Sequence, residues 1–170
     1  MALQKTVNKY QVLGVPGDFA DDSPSRVAPY ACLANSSAQP TVGYVFTQGT
    51  NDNEAKVGGS GAFLGILVES KQYANYNGNL SAGLTVNPGT NGQICSMGHI
   101  FVKSATSFEP GYLAEYEPAT GAISAIEDTL STATAVQIPA ARFIQVSGSA
   151  NGVGILELGA FNVPTATAYS

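Results

Sequence analysis

Apolar and polar positions along this chain alternate over short distances and then break off. Residues 41–48, TVGYVFTQ, are rich in β-branched and aromatic side chains. Residues 80–87, LSAGLTVN, place Leu80, Ala82, Leu84 and Val86 on one side of an extended segment. AFLGILVES at 62–70 is apolar through its centre and reads as a strand buried on both faces. GQICSMGHIFVK at 92–103 reads as a longer strand interrupted by glycine, where a bulge is expected. No window sustains a helical period. The nearest, 23–38 and 128–135, carry prolines or Ser/Thr runs and bury no continuous stripe.

Turn residues set the expected pairings. NPGTNGQ at 87–93 predicts a hairpin between 80–87 and 93–103. In YLAEYEPATGAISAI, 112–126, Pro118 presets φ and Gly121 supplies a residue able to take φ > 0, so both flanks should pair. RFIQVSGSANGVGILELGAF, 142–161, predicts a third hairpin closed around Asn151-Gly152. No strand–helix–strand pattern occurs, which argues against a parallel α/β sheet. The expected fold is all-β: an antiparallel β-sandwich or barrel, jelly-roll-like, of about eight short strands with an extended N-terminal arm. Residues 1–30 form the arm, with an edge strand at 3–12. Residues 31–161 form the β domain, in which GTNDNEAKVGGSG at 49–61 reads as an exposed flexible loop. Residues 162–170 form a small polar tail, loosely held unless a partner covers it.

Composition sharpens this picture at one point. Apolar residues make up 44 % of the 170, enough for a core, but charged residues only 11 %, against roughly 25 % in ordinary soluble domains. Surfaces covered by other proteins lose charge in this way. A net charge of −5 and scattered basic residues argue against nucleic-acid binding. No apolar run approaches the ~20 residues of a membrane span, and the first 14 residues have no continuous hydrophobic block. The protein is accordingly expected to begin near Met1 and to fold in a cytoplasm. Cys32 and Cys95 are then buried, reduced thiols rather than a disulfide framework or a metal site.

Candidate chemistry is sparse. His99 is the single histidine and lies in an apolar strand run. Cys95, four residues earlier, falls on the same face of a straight strand but about 13 Å away, too far for direct activation. Partial burial is the preferred reading of His99. Glu115 and Glu117 alternate onto one strand face at about 7 Å, a glycosidase-like separation. A solvent face gives the same pattern more often, and the chain has no tryptophan to stack a sugar. NDNE at 51–54 lacks calcium-loop spacing, and GGSG at 58–61 lacks the Lys-Ser/Thr of a phosphate loop. No catalytic residue, cofactor or metal is expected. Tyr73 and Tyr76 stand in a polar, turn-rich segment where tyrosine can serve as a contact residue or pack under its own loop.

One segment fits none of these elements. GVPGDFADDSPSRVAP, 14–29, holds three prolines and three aspartates, so a regular strand is not expected through it, yet Val15, Phe19 and Val27 are spaced along it. Two readings stand. Val15, Pro16, Phe19 and Val27 could dock on another protein, with Asp18, Asp21 and Asp22 meeting water or basic partners; or the strap simply crosses its own domain. The block GVPGDFADDSPSRV, followed by GAFLGILV, EPGYLAEYEPATGAISA and ARFIQVSGSANGVGILELG, resembles the capsid cement (decoration) proteins of tailed bacteriophages over most of the chain. The resemblance implies a small non-enzymatic β domain on the outside of the virion head. It implies contact with the major capsid protein across subunit seams, and a homo-oligomer, dimer or trimer, made in the host cytoplasm. A receptor- or carbohydrate-binding module of a phage tail or fibre is the alternative, and a hydrolase using Glu115 and Glu117 a third class.

Overall fold

The computed structural model describes residues 14–68, 85–160 and 164–169. Nine strands form the framework of these residues: β1 (Arg26–Leu33), β2 (Val45–Gln48), β3 (Glu54–Val57), β4 (Phe63–Val68), β5 (Asn91–Lys103), β6 (Leu113–Tyr116), β7 (Ile123–Ile126), β8 (Val136–Ile144) and β9 (Val153–Leu158). The all-β expectation holds. Hydrogen bonding runs in the order β1-β3-β2-β4-β5-β9-β8-β6-β7, and β1 also pairs with β5. That extra pairing closes β1, β3, β2, β4 and β5 into a five-stranded barrel. The second half of β5 continues into a sheet with β9, β8, β6 and β7.

Long β5 joins the two halves. Its first half holds β1 on one edge and β4 on the other, and its second half holds β9. The shared strands are consequently buried on both faces. Phe46, Leu67 and Ile94 fill the barrel with Cys32, Ala55 and Val57. Their chain neighbours Val45, Ile66 and Cys95 turn the other way, into a core shared with Ile100, Phe108, Phe143 and Leu156. The apolar run of β4 is explained by this double burial.

Several expectations require correction. The loop at 49–61 contains β3, which pairs antiparallel with β2 and in parallel with β1 over Ala31–Leu33. Its alternating Ala55 and Val57, both fully buried, were masked by polar neighbours. The hairpin between 80–87 and 93–103 is not made by its described residues. Thr85 instead bridges Thr41, and Val86 N–H donates to Pro40 O at 2.8 Å, because both edges of β5 are occupied there. Strand β1 begins at Arg26, inside the segment read as irregular; Pro29 is tolerated because its neighbour Ala31 bonds away from β5, to Asn53 O, on the alternation that also turns Pro29 outward. The described part of the tail is bonded to the body, with Thr167 bridging Thr129 and Gln137 bonded to both Pro164 and Ala166.

The other two hairpins form as expected. β6 and β7 pair from Leu113↔Ile126 to Tyr116↔Ile123, and Gly121 closes their turn at φ 76°. β8 and β9 pair from Ala141↔Leu158 to Ile144↔Ile155, with Asn151 at φ 64° in the connection. The expected edge strand at 3–12 lies outside the described residues.

Candidate functional site: the N-terminal strap on the sheet edge

The strap opens with a tight turn. Asp18 N–H donates to Val15 O at 3.0 Å, and the central residues are Pro16 and Gly17, the latter at φ 96°. This is the type II combination, with proline fixing the first φ and glycine taking the left-handed second position. Gly17 is also buried against Val42, where any side chain would collide. Pro16 packs half-buried beside Gly43.

From there the strap pairs with β5. Gly17 N–H donates to Phe101 O at 2.7 Å, Phe101 N–H to Asp18 O at 2.9 Å, and Ala20 N–H to His99 O at 2.9 Å, with Phe19 bridging Ile100. β1 follows along the same edge of β5, from Arg26↔Met97 to Ala31↔Asn91. Strap and β1 are therefore one interrupted partner strand, broken only by an excursion at residues 21–25. The excursion passes over Gly98, where a side chain would sit 3.2 Å from Ser25 Cβ. The backbone thus crosses its own domain.

The side chains do otherwise. Val15 is 56 % exposed, Phe19 39 % and Val27 36 %; these are three of the five large exposed hydrophobics among the described residues, with Val136 and Tyr169. Phe19 stands opposite Ile100 and Val27 opposite Cys95, both in the shared core. Cross-strand partners share a sheet face, so Phe19 and Val27 form the open rim of that core. Asp18 is half-buried at the turn. Tyr73 and Tyr76 lie outside the described residues.

The structure adds a polar cluster that sequence reasoning missed. His99 Nδ1 lies 2.6 Å from Asp21 Oδ2 and 3.3 Å from Ser23 Oγ, and the Ser23 hydroxyl donates to Asp21 Oδ1. On the other side of the ring, Nε2 is 3.9 Å from Glu157 Oε1, while Arg142 Nε donates to Glu157 Oε2 at 2.7 Å. The Ser23 hydroxyl, then His99, hold the Asp21 carboxyl down at about 2. This is not a nucleophilic triad: serine and aspartate both meet Nδ1, whereas base catalysis needs the serine at the other nitrogen. The expected same-face relation of Cys95 and His99 also fails. The bulge skips Ser96, so Cys95 shares its face with Ile100 rather than with His99.

The remaining candidates do not converge. Glu115 is buried, accepting Ser131 N–H at 2.9 Å, and Glu117 lies in the turn after β6, accepting Ala119 N–H. The face expected to carry both carboxylates is thus interior at Glu115. Cys32 and Cys95 are free and belong to separate cores; burial pushes the Cys32 thiol up to about 11 and raises Cys95 likewise. No group of three or more His, Cys, Asp or Glu placed to hold a metal occurs among the described residues. An open cleft of about 680 Å³ at the barrel end has Lys56 as the one charged side chain among the described residues that line it.

A barrel and a sheet sharing one long strand, with a strap bonded along its edge, define an all-β domain. The model of the family described as structural cement protein (E217 gp24/Pam3 gp6) matches residues 3–159. The chain belongs to this family of phage structural cement proteins, which gives it a structural role in the capsid. A solved chain in "The capsid of Myoviridae Phage XM1" shares the fold at a TM-score of 0.63 and 14 % identity, over 93 % of this chain and 98 % of that one. A search of curated proteins returned no match.

Proposed function

We propose that this protein is a non-enzymatic virion component that binds the outer surface of a phage head and cements major capsid protein subunits, stabilising the expanded shell. The observation that carries the proposal is the state of the strap: its backbone is bonded to its own domain while Val15, Phe19 and Val27 remain exposed. A strap held in this way loses little freedom on docking, so burying its apolar residues contributes more fully to affinity. Pro16 and Asp18 complete the contact surface at the turn. Residues 1–30 act as the docking arm, 31–161 as the body and 162–170 as the tail. The major capsid protein is the partner, the chain acts as a dimer or trimer, and nucleic acid and membrane play no part. It is made in the host cytoplasm and ends in the virion.

Stabilisation follows from linkage. A protein that binds the expanded shell better than its precursor favours that form by the difference in affinity. An interface of about 1,000–2,000 Å² suffices, because each copy bridges two subunits. The test replaces the rim without touching the core. The variant Val15→Ser/Phe19→Ser/Val27→Ser is expected to keep its denaturation midpoint and to lose capsid affinity at least about tenfold, given the apolar area removed. Undiminished decoration of expanded heads by the triple variant, or glycan binding without capsid binding, would overturn the reading.

A further inference from the structure

We propose that His99 is a positioning residue, the latch that holds the strap's apolar rim in its docking geometry; this rests on the strap being the docking element. Backbone bonds fix the strap over residues 17–20, and pairing resumes at Arg26. Between them, the described cross-links from the excursion to the sheet are the side-chain contacts of Asp21 and Ser23 with His99. Phe19 precedes this excursion and Val27 follows it, so the spacing of the two rim residues depends on how the excursion is held.

His99 is itself fixed from the other side. Among the described residues, the charged groups facing the ring are Asp21 on the strap and Glu157 on β9, with Arg142 on β8 acting through Glu157. At 3.9 Å the Glu157 contact is too long for a hydrogen bond and acts as a charge interaction. The Asp21 contact, at 2.6 Å, is a charge-assisted hydrogen bond. Ser23 satisfies Asp21 Oδ1, so Oδ2 takes its proton donor from His99 Nδ1. Nδ1 carries a proton in the imidazolium and in one neutral tautomer, and Asp21 selects that tautomer.

Amide hydrogen exchange on the full-length protein tests this without capsids. The reporters are Ala20 N–H, bonded to His99 O, and Phe101 N–H, bonded to Asp18 O. Asp21→Ala and His99→Ala should each speed their exchange about fivefold, the size of a partly exposed charge-assisted pair, and the double variant no further. Asp21→Asn should fall between, and Ile126 N–H, on β7 at the far edge of the sheet, should not change. Unaltered exchange at both reporters in Asp21→Ala overturns the proposal, as does additivity in the double variant. Asp21 sits on the surface, so its removal keeps the test valid even where His99→Ala perturbs β5. Capsid decoration by Asp21→Ala separates the two claims. Faster exchange with unchanged decoration leaves the latch standing and removes the strap as anchor; reduced decoration with unchanged exchange removes the latch alone.

Discussion

Asp21 and His99 show how much a single contact can remain hidden in a sequence. They are 78 positions apart, and nothing in the residues around either one points to the other. Val15, Phe19 and Val27, by contrast, are legible as apolar residues in a segment that proline and aspartate keep from ordinary burial. Asp21 also gives the residue-scale pH dependence. Its carboxyl is held at about 2 against an ordinary 3.8, so the anion is favoured in the folded state. A depressed pKa contributes stability that is present above the ordinary value and lost as pH falls toward the folded one. Strap attachment should therefore hold to about pH 4 and weaken between about pH 4 and about pH 2. Carboxyl-detected NMR should place the Asp21 midpoint near 2, rising toward 3.8 in Ser23→Ala. A midpoint already at the ordinary value would show that the cluster does not form in solution.

Among the elements, β5 decides the architecture, and only its outline could be read. Its length and the glycine break were visible in GQICSMGHIFVK; the consequence of the break was not. Skipping Ser96 changes which residues face the shared core, moving Ile100 onto the side of Cys95 and leaving His99 on the other. Period-two reasoning fails across a bulge, because one extra residue reverses the alternation. β3 was missed for a different reason: its two buried positions are separated by Lys56 and preceded by a polar run, so a closed barrel alone gives it a partner on each edge. The segment 104–108 illustrates the same dependence. Phe108 is buried, stacks on Phe143 at 5.0 Å and exchanges backbone bonds with Gly148. Phe108→Ala should cost about 3–5 kcal/mol, the usual penalty for a large aromatic lost from a close-packed core. Urea denaturation would measure it, and a loss under about 1 kcal/mol would mean that the two hairpins are not joined through this ring.

For the molecule as a whole, scarcity of charge is the governing property. Charged residues are 11 % of the chain, and three of the five exposed large hydrophobics among the described residues lie on the strap. Docking through such a rim should depend weakly on salt, since little Coulombic attraction is there to be screened. Capsid affinity should change less than about threefold from about 0.05 to about 0.5 M salt, measured by sedimentation with expanded heads. A steep loss would point to an ionic interface elsewhere. Composition, alternation and turn residues by themselves determined the all-β class, two of the three hairpins, the double burial of β4 and the apolar beads of the strap. These are local properties, set by which side chains prefer extended backbone and where φ must turn positive. Barrel closure, the parallel β1–β3 pair, the reversal at Ser96 and the meeting of Asp21, His99, Glu157 and Arg142 were decided by tertiary structure alone. Each depends on which strand edges are left open once the others have paired, and that competition between distant segments has no signature within any one of them.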